Sequence, residues 1–171
     1  MNESLVTFTI YERIAPIIAK TISTPKKIAT PQIKDLLTAA GRMLEVFVYH
    51  KAREFSGFSD VVSSFETTNR DGQAIHEYDL IITKGFQTLI VECKAQKEIT
   101  NNIYTDFVNH TNNLGINVKR VLVTDGSVSD DCINYGHLQG VETIYSLDEI
   151  ENIGEVLLNY LEGRGRFEPH A

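Results

Sequence analysis

The sequence predicts an α/β fold in which one mixed β-sheet carries helices on both faces. Three observations favour it. Segments with apolar residues at helical spacing alternate with short strand-like segments, and Asp71-Gly72 lies between two such strands as a hairpin signal. The run "VKRVLVTD" (118–125) contains the continuous apolar segment "VLV", as expected for a short strand buried on both faces. The predicted element order is α-β-β-β-α-β-α-β-α.

The first predicted helix follows the loop "TPKKIATP", with Thr30 as N-cap and Pro31 at the first helical position. Apolar residues then continue at helical spacing to about Phe55. Gly41 interrupts this pattern at a cost in helix propensity, so it marks either a close contact or a break between two helices.

Three antiparallel strands are predicted next. "DVVSSFETT" (60–68) leads to the hairpin signal, "HEYDLIITK" (76–84) runs to Gly85, and "FQTLIVECKA" (86–95) follows directly. The short connections predict a meander, which makes the second and third strands neighbours.

The rest of the chain alternates helix and strand. "NNIYTDFVNHTNNLG" reads as a helix closed by Gly115, and "SDDCINYGHLQ" reads as a helix capped by Ser129. "VETIYS" is a fifth strand. "LDEIENIGEVLLNYLEG" predicts one terminal amphipathic helix with an acidic face.

Length and composition predict one globular domain with its own core, because the chain has 171 residues, 42% of them hydrophobic. We expect this domain to span residues 31–171. Residues 1–30 would be an N-terminal extension or the remnant of a longer chain. There is no apolar run of about 20 residues and no signal-like start, and the two cysteines have no metal-ligand spacing. We therefore expect a cytoplasmic protein without a membrane partner.

The net charge of −7 does not exclude a nucleic-acid partner, because the acidic residues are unevenly distributed. Residues 142–162 contain six acids and no Lys or Arg, whereas residues 1–141 contain 14 bases and 16 acids, a balance of −2. No basic patch is strong enough to predict polyanion binding by itself.

Charged residues interrupt the apolar strand "LIVECKAQ" (89–96), and this pattern indicates a functional site. Side chains alternate along a strand, so Glu92 and Lys94 share one face and Cys93 lies on the other, where we expect its thiol to be a small core group. The preceding strand supplies Glu77 and Asp79, and its short turn brings Asp79 towards Glu92. Two adjacent carboxylates repel unless a cation lies between them or one is protonated.

Glu45, on the predicted helix, is a third acid. It lies on the same flank as Leu37, Gly41 and Tyr49, and not with the exposed charges Arg42 and Arg53. Carboxylates from three separate segments beside one ammonium group suit a hard divalent ion, Mg²⁺ or Mn²⁺. Such an ion lowers the pKa of water and neutralises charge on a phosphodiester, and Lys94 could orient water or stabilise the transition state.

The spacing of Asp79, Glu92 and Lys94 resembles the motif of the PD-(D/E)XK, or restriction-endonuclease-like, nuclease superfamily. "GRMLE" (41–45), "HEYDLIIT" (76–83) and "IVECKA" (90–95) are similar to the nuclease domain of CRISPR-associated effectors activated by cyclic oligoadenylate. The resemblance covers residues 40–150. This sequence departs from the subfamily pattern at Arg42, Met43, His76 and Ile116.

The resemblance implies a role for each matching residue. Glu45, Asp79, Glu92 and the backbone carbonyl of Cys93 would bind metal, and Lys94 would be catalytic. Glu77 and Tyr104 would support these groups. A sensor domain would lie outside this chain.

We therefore expect a divalent-metal-dependent nuclease that hydrolyses DNA or RNA. The resemblance implies that it is the effector domain of a CRISPR-linked or other antiviral defence protein, and cutting both strands would require a homodimer. One alternative is a catalytically silent nuclease fold used for nucleic-acid binding or assembly. Another is a different α/β hydrolase that uses the same acids in a small substrate pocket. The five histidines show no pair at metal-ligand spacing in the sequence.

Overall fold

A five-stranded sheet with the order β1-β2-β3-β4-β5 forms the centre of the protein in a computed structural model. The structure describes residues 40–68, 71–72, 74–115 and 117–164. The strands are β1 (Asp60–Thr68), β2 (Ala74–Lys84), β3 (Gln87–Lys94), β4 (Val118–Thr124) and β5 (Val141–Ile144). The helices are α1 (Ala40–Glu54), α2 (Asn101–Thr111), α3 (Asp130–Leu138), α4 (Leu147–Glu151) and α5 (Ile153–Leu161), and a 3₁₀ turn (Asn112–Leu114) follows α2.

The sheet is mixed, as predicted. β1, β2 and β3 pair antiparallel, whereas β3, β4 and β5 pair parallel. Gly72 and Gly85 adopt positive φ angles of 78° and 57° in the two connections of the antiparallel part. Glycine adopts such angles without a steric penalty, which explains why the chain turns back at these two positions.

Two hydrophobic cores lie on opposite faces of the sheet. The first core is formed with α1 and α5 and contains the β3 residues Leu89, Val91 and Cys93. The second is formed with α2 and α3 and contains Ile90 and Leu122. Alternate residues of the central strands are therefore buried on both sides, which is the arrangement that their nearly continuous apolar sequences predict.

The element boundaries agree closely with the sequence, apart from two corrections. The α-helix predicted to run to Gly115 ends at Thr111 and is continued by the 3₁₀ turn Asn112–Leu114. The predicted terminal helix is two helices, because Asn152 leaves helical geometry with φ −103° and ψ 25°, and its side-chain amide donates to the carbonyl of Asp148 at 2.9 Å. Gly41 is the second described residue of α1, and whether a separate helix precedes it lies outside the described residues. The predicted start at Thr30 and Pro31, and the extension 1–30, lie outside the described residues.

The regular alternation of side chains between the two faces of the sheet is broken on β2 at Asp79. Leu80 belongs to the first core, but Tyr78, two residues earlier, belongs to the second. On β1, Ser64 has a positive φ of 51° between the pairs Ser63–Leu80 and Phe65–Tyr78. On β2 the side chains therefore change face between Tyr78 and Leu80, with Asp79 between them, and Ser64 lies at the same level on β1.

Among the described residues, no helix is both long enough and apolar enough to cross a membrane.

Candidate active site

Asp79 marks the place where β2 and β3 separate. Their backbone pairing ends at Leu80 and Val91, so Asp79 is the first residue of β2 beyond the ladder. Its carboxylate reaches across instead, and Oδ2 accepts a hydrogen bond from the N–H of Cys93 at 2.7 Å. This side-chain hydrogen bond stands where a backbone hydrogen bond between the two strands would otherwise continue the ladder, and it holds the Asp79 carboxylate against β3.

Glu92 and Lys94 form an ion pair at the end of β3. Their side chains are 17% and 37% exposed, so the pair borders solvent without being fully in it. Burial acts to lower the pKa of Lys94, but its hydrogen bond to Glu92 and the Glu92 charge outweigh burial and raise that pKa. Lys94 is therefore held as a cation beside the acids.

Glu45 extends towards the same group from α1. A Cβ atom at Gly41 would lie 3.9 Å from Oε1 of Glu45, an ordinary van der Waals distance, so the carboxyl group lies near the backbone one turn earlier in α1. Burial raises the pKa of Glu45, and the charge of Glu77 raises it further, while Lys94 lowers it. The predicted position of Glu45 beside the β2 and β3 acids is consistent with these interactions.

The pKa of Asp79 is raised to about 7, and the cause is first burial and then the charge of Glu92. Glu45 adds to this effect, whereas the Cys93 N–H and Lys94 oppose it. Asp79 is therefore a carboxyl group whose ionisation is resisted by two other carboxylates. A bound cation would relieve that repulsion.

The donor set fits a hard divalent ion by its chemistry, because Glu45, Asp79 and Glu92 offer carboxylate oxygens from three separate elements. The three carboxyl groups do not converge on one point in this structure. In the described part of the chain, no three His, Cys, Asp or Glu residues are grouped so that they could hold a metal ion. Glu92 is turned towards Lys94, and sharing an ion would require it to give up part of that pair.

The remaining predicted residues have different surroundings. Cys93 is 2% exposed, and burial raises the pKa of its thiol well above the usual range, which confirms the core role expected for its side chain. Glu77 is exposed and interacts with Glu45 through its charge. Tyr104 is buried in the second core, and its hydroxyl lies 2.8 Å from Oγ1 of Thr143 on β5.

Two contacts had no signal in the sequence. Thr124 ends an apolar strand, yet its hydroxyl donates to the backbone carbonyl of Lys94 at 2.6 Å. His76 and His110 are far apart in the chain, but their ring centroids lie 3.8 Å apart. Both contacts depend on how β2, α2 and β4 are placed around β3, which residue spacing does not encode.

Two concave regions lie elsewhere on the surface. One, of about 180 Å³, includes Glu142, Tyr160 and Arg164, and the other, of about 250 Å³, includes Lys51 and Glu155. Neither region is lined by the candidate site residues Glu45, Asp79, Glu92 and Lys94.

Solved structures with similar folds include protein VC1899 from Vibrio cholerae and Can2 from Sulfobacillus thermosulfidooxidans. VC1899 has a TM-score of 0.61 and 14% sequence identity over 81% of this chain and 37% of its own. Can2, solved in complex with cyclic tetra-adenylate, has a TM-score of 0.61 and 16% identity over 76% of this chain and 38% of its own. This chain thus spans less than two fifths of either protein.

A weaker similarity joins the chain to the small subunit of the heterodimeric restriction endonuclease R.BspD6I, with a TM-score of 0.44 and 12% identity over 95% of this chain and 81% of that subunit. No family model matches the sequence. No curated protein is significantly similar to it in sequence. The fold is α/β, with a mixed five-stranded sheet between helices, and it is shared with VC1899 and Can2.

Proposed function

We propose that this protein is a divalent-metal-dependent nuclease that hydrolyses phosphodiester bonds of DNA or RNA. One observation carries the proposal: the Asp79 carboxyl group, fixed on the Cys93 N–H where β2 and β3 separate, has its pKa raised to about 7 beside Glu92 and Glu45. Repelling carboxylates next to a lysine suit a site that gains stability when a cation arrives.

Glu45, Asp79, Glu92 and the backbone carbonyl of Cys93 would hold the ion, as the PD-(D/E)XK resemblance implies. When bound, Mg²⁺ or Mn²⁺ would lower the pKa of water and neutralise charge on the phosphate. The ammonium group of Lys94 would orient the attacking water or stabilise negative charge as it develops on the phosphate. Glu92 would keep Lys94 charged and in place until substrate arrives.

The similarity to one part of Can2 suggests a role for this chain within a larger protein. Can2 was solved with cyclic tetra-adenylate, and its matched part is only 38% of its length. We propose that this chain acts as the effector domain of a CRISPR-linked or other antiviral defence protein, with ligand sensing outside the described fold. A single site cuts one strand at a time, so cutting both strands would require a homodimer.

A cleavage assay tests the proposal directly. Plasmid DNA, single-stranded DNA and RNA are each incubated with Mg²⁺, Mn²⁺ or a chelator, using wild type and Lys94→Ala. We expect cleavage of at least one substrate with metal, none with chelator, and a loss of about 100-fold or more in Lys94→Ala. Lys97→Ala is the matched control, because Lys97 is an exposed lysine three residues along the same segment.

Cleavage that persists in chelator, or that Lys94→Ala retains in full, would refute this mechanism. If wild type cleaves none of the three substrates with either metal, the alternative of a catalytically silent binding or assembly module replaces it.

A further inference from the structure

We infer that Thr124 is a positioning residue that fixes the end of β3 and thereby the direction of Lys94. The inference rests on the proposed function, because it assigns a supporting role to a residue of that same site. Thr124 is fully buried at the end of β4, and β4 pairs in parallel with β3 up to the partners Lys94 and Thr124.

The hydroxyl group of Thr124 joins two chain segments. It donates to the carbonyl oxygen of Lys94 at 2.6 Å and accepts from the N–H of Gly126 at 3.0 Å. Both functions of the hydroxyl are used, so its orientation is fixed. A buried side chain with this pair of bonds holds the last residue of β3 against the turn that follows β4.

The segments after β3 and β4 are joined further by close packing. A Cβ atom on Gly126 would lie 2.0 Å from the backbone oxygen of Gln96, so only glycine fits there. Ser127 donates to the carbonyl of Lys97 through its N–H at 3.1 Å and its hydroxyl at 2.9 Å. Its own carbonyl accepts from the N–H of Ile99 at 3.0 Å.

The result is a short segment held from both sides. On the β2 side, Asp79 accepts from the N–H of Cys93, and on the β4 side, Thr124 donates to the carbonyl of Lys94. Glu92, Cys93 and Lys94 therefore have little freedom to move as a unit. A misplacement of about 1 Å in a catalytic group costs about 100-fold in rate, so a contact of this kind matters for catalysis.

Amide hydrogen exchange tests the positioning role without any need for activity. Thr124→Val keeps the shape of the side chain but removes both hydrogen bonds, and Gly126→Ala forces the two segments apart. In both variants we expect protection of the Cys93, Ile99 and Ser127 amides to fall about 10-fold more than protection of the β1–β2 ladder. Thr124→Ser keeps the hydroxyl and should exchange like wild type.

Thr111→Val is the matched control, because Thr111 is also a fully buried threonine with a hydroxyl that donates and accepts. This hydroxyl donates to the carbonyl of Phe107 on α2 at 2.8 Å and accepts from Nε of Arg120, at the other end of β4 from Thr124, at 2.5 Å. Thr111→Val should lose protection near the end of α2 and leave Cys93, Ile99 and Ser127 unchanged. Exchange at those three amides that is the same in wild type, Thr124→Val and Gly126→Ala would overturn the inference.

Cleavage kinetics supply the second readout. We expect Thr124→Val to lower kcat about 10- to 100-fold with little change in KM, Thr124→Ser to restore it, and Thr111→Val to leave it unchanged once corrected for the folded fraction. An equal loss in Thr111→Val and Thr124→Val would mean that Thr124 serves stability alone. If wild type shows no cleavage, the proposed function fails, while the exchange data still decide whether Thr124 fixes this segment.

Discussion

Asp79 lies where the ionised form of a carboxyl group is disfavoured. Its carboxylate accepts the Cys93 N–H, which favours the ionised form, yet burial and the charges of Glu92 and Glu45 oppose ionisation more strongly. In the absence of a cation, the protonated form of the Asp79 carboxyl group is therefore favoured more than in an ordinary aspartate. Active-site residues often show this conflict between folding and function.

This conflict predicts the pH dependence of stability. Because the folded pKa of Asp79, about 7, exceeds the ordinary value of 3.8, its contribution to the free energy of unfolding is complete below about pH 4 and is lost as pH rises through 7. In chelator, Asp79→Asn should be more stable than wild type at pH 8, by the order of 1 kcal/mol, and should lose this advantage at pH 4.

Urea denaturation at the two pH values measures this difference. Asp106→Asn, which removes an exposed carboxyl on α2, is the control and should show no such pH-dependent gain. The assignment of the burial penalty to Asp79 would be wrong if Asp79→Asn and wild type lost stability in parallel between pH 4 and pH 8.

At the scale of single residues, the sequence predicts which side chains share a face of the sheet but not the hydrogen bonds that fix them. Alternation along a strand is enough to place Glu92 and Lys94 together and Cys93 in the core. The Asp79 contact with the Cys93 N–H requires two strands that pair and then separate, and no periodicity in the sequence indicates where they separate. Thr124 is hidden for the same reason, since its partner is a backbone atom on another strand.

The paired strands β1 and β2 contain a local irregularity beside the candidate site. Ser64 lies between the pairs Ser63–Leu80 and Phe65–Tyr78, and its φ of 51° is a conformation that favours glycine. The change of face on β2 places Tyr78 in the second core, where its hydroxyl donates to the His110 carbonyl at 3.0 Å. The preceding residue, Glu77, is exposed, and its charge raises the pKa of Glu45.

Two neighbouring serines test whether Ser64 is strained. Ser64→Gly should raise the free energy of unfolding by about 1 kcal/mol, because glycine relieves the positive φ. Ser63→Gly should lower it by about 0.5–1 kcal/mol, because glycine in an ordinary strand position only adds freedom to the unfolded chain. Thermal or urea denaturation compares them, and effects of the same sign would contradict a strained Ser64.

The elements themselves were largely predictable, since β1 has the predicted bounds and the Ser129 cap of α3 forms as expected, with its hydroxyl accepting from the Cys132 N–H. The break between α4 and α5 was not predictable from apolar spacing, because that spacing continues across Asn152. The break depends on how Asn152 caps α4 and on α5 packing beside α1, where a Cβ atom at Gly154 would come within 2.7 Å of Phe55.

At the scale of the whole molecule, the net charge of −7 opposes binding to a polyanion. Nucleic-acid binding should therefore depend on the divalent ion and not on a basic surface. For a fluorescent single-stranded oligonucleotide, we expect anisotropy titrations with Ca²⁺ to give an affinity about 10-fold higher than titrations with chelator. Tight binding in chelator with a steep dependence on salt would favour the binding-module alternative.

The central claim, that Glu45, Asp79 and Glu92 bind one divalent ion, concerns the whole fold, because these residues come from α1, β2 and β3 and their charges interact only when the sheet and the first helix are assembled. Calorimetric titration with Mn²⁺ tests it most directly. Wild type and the control Asp106→Asn should show one saturable site, and Asp79→Asn and Glu92→Gln, each checked for folding by circular dichroism, should lose it. Equal Mn²⁺ binding in all four proteins, or none in wild type, would contradict the account.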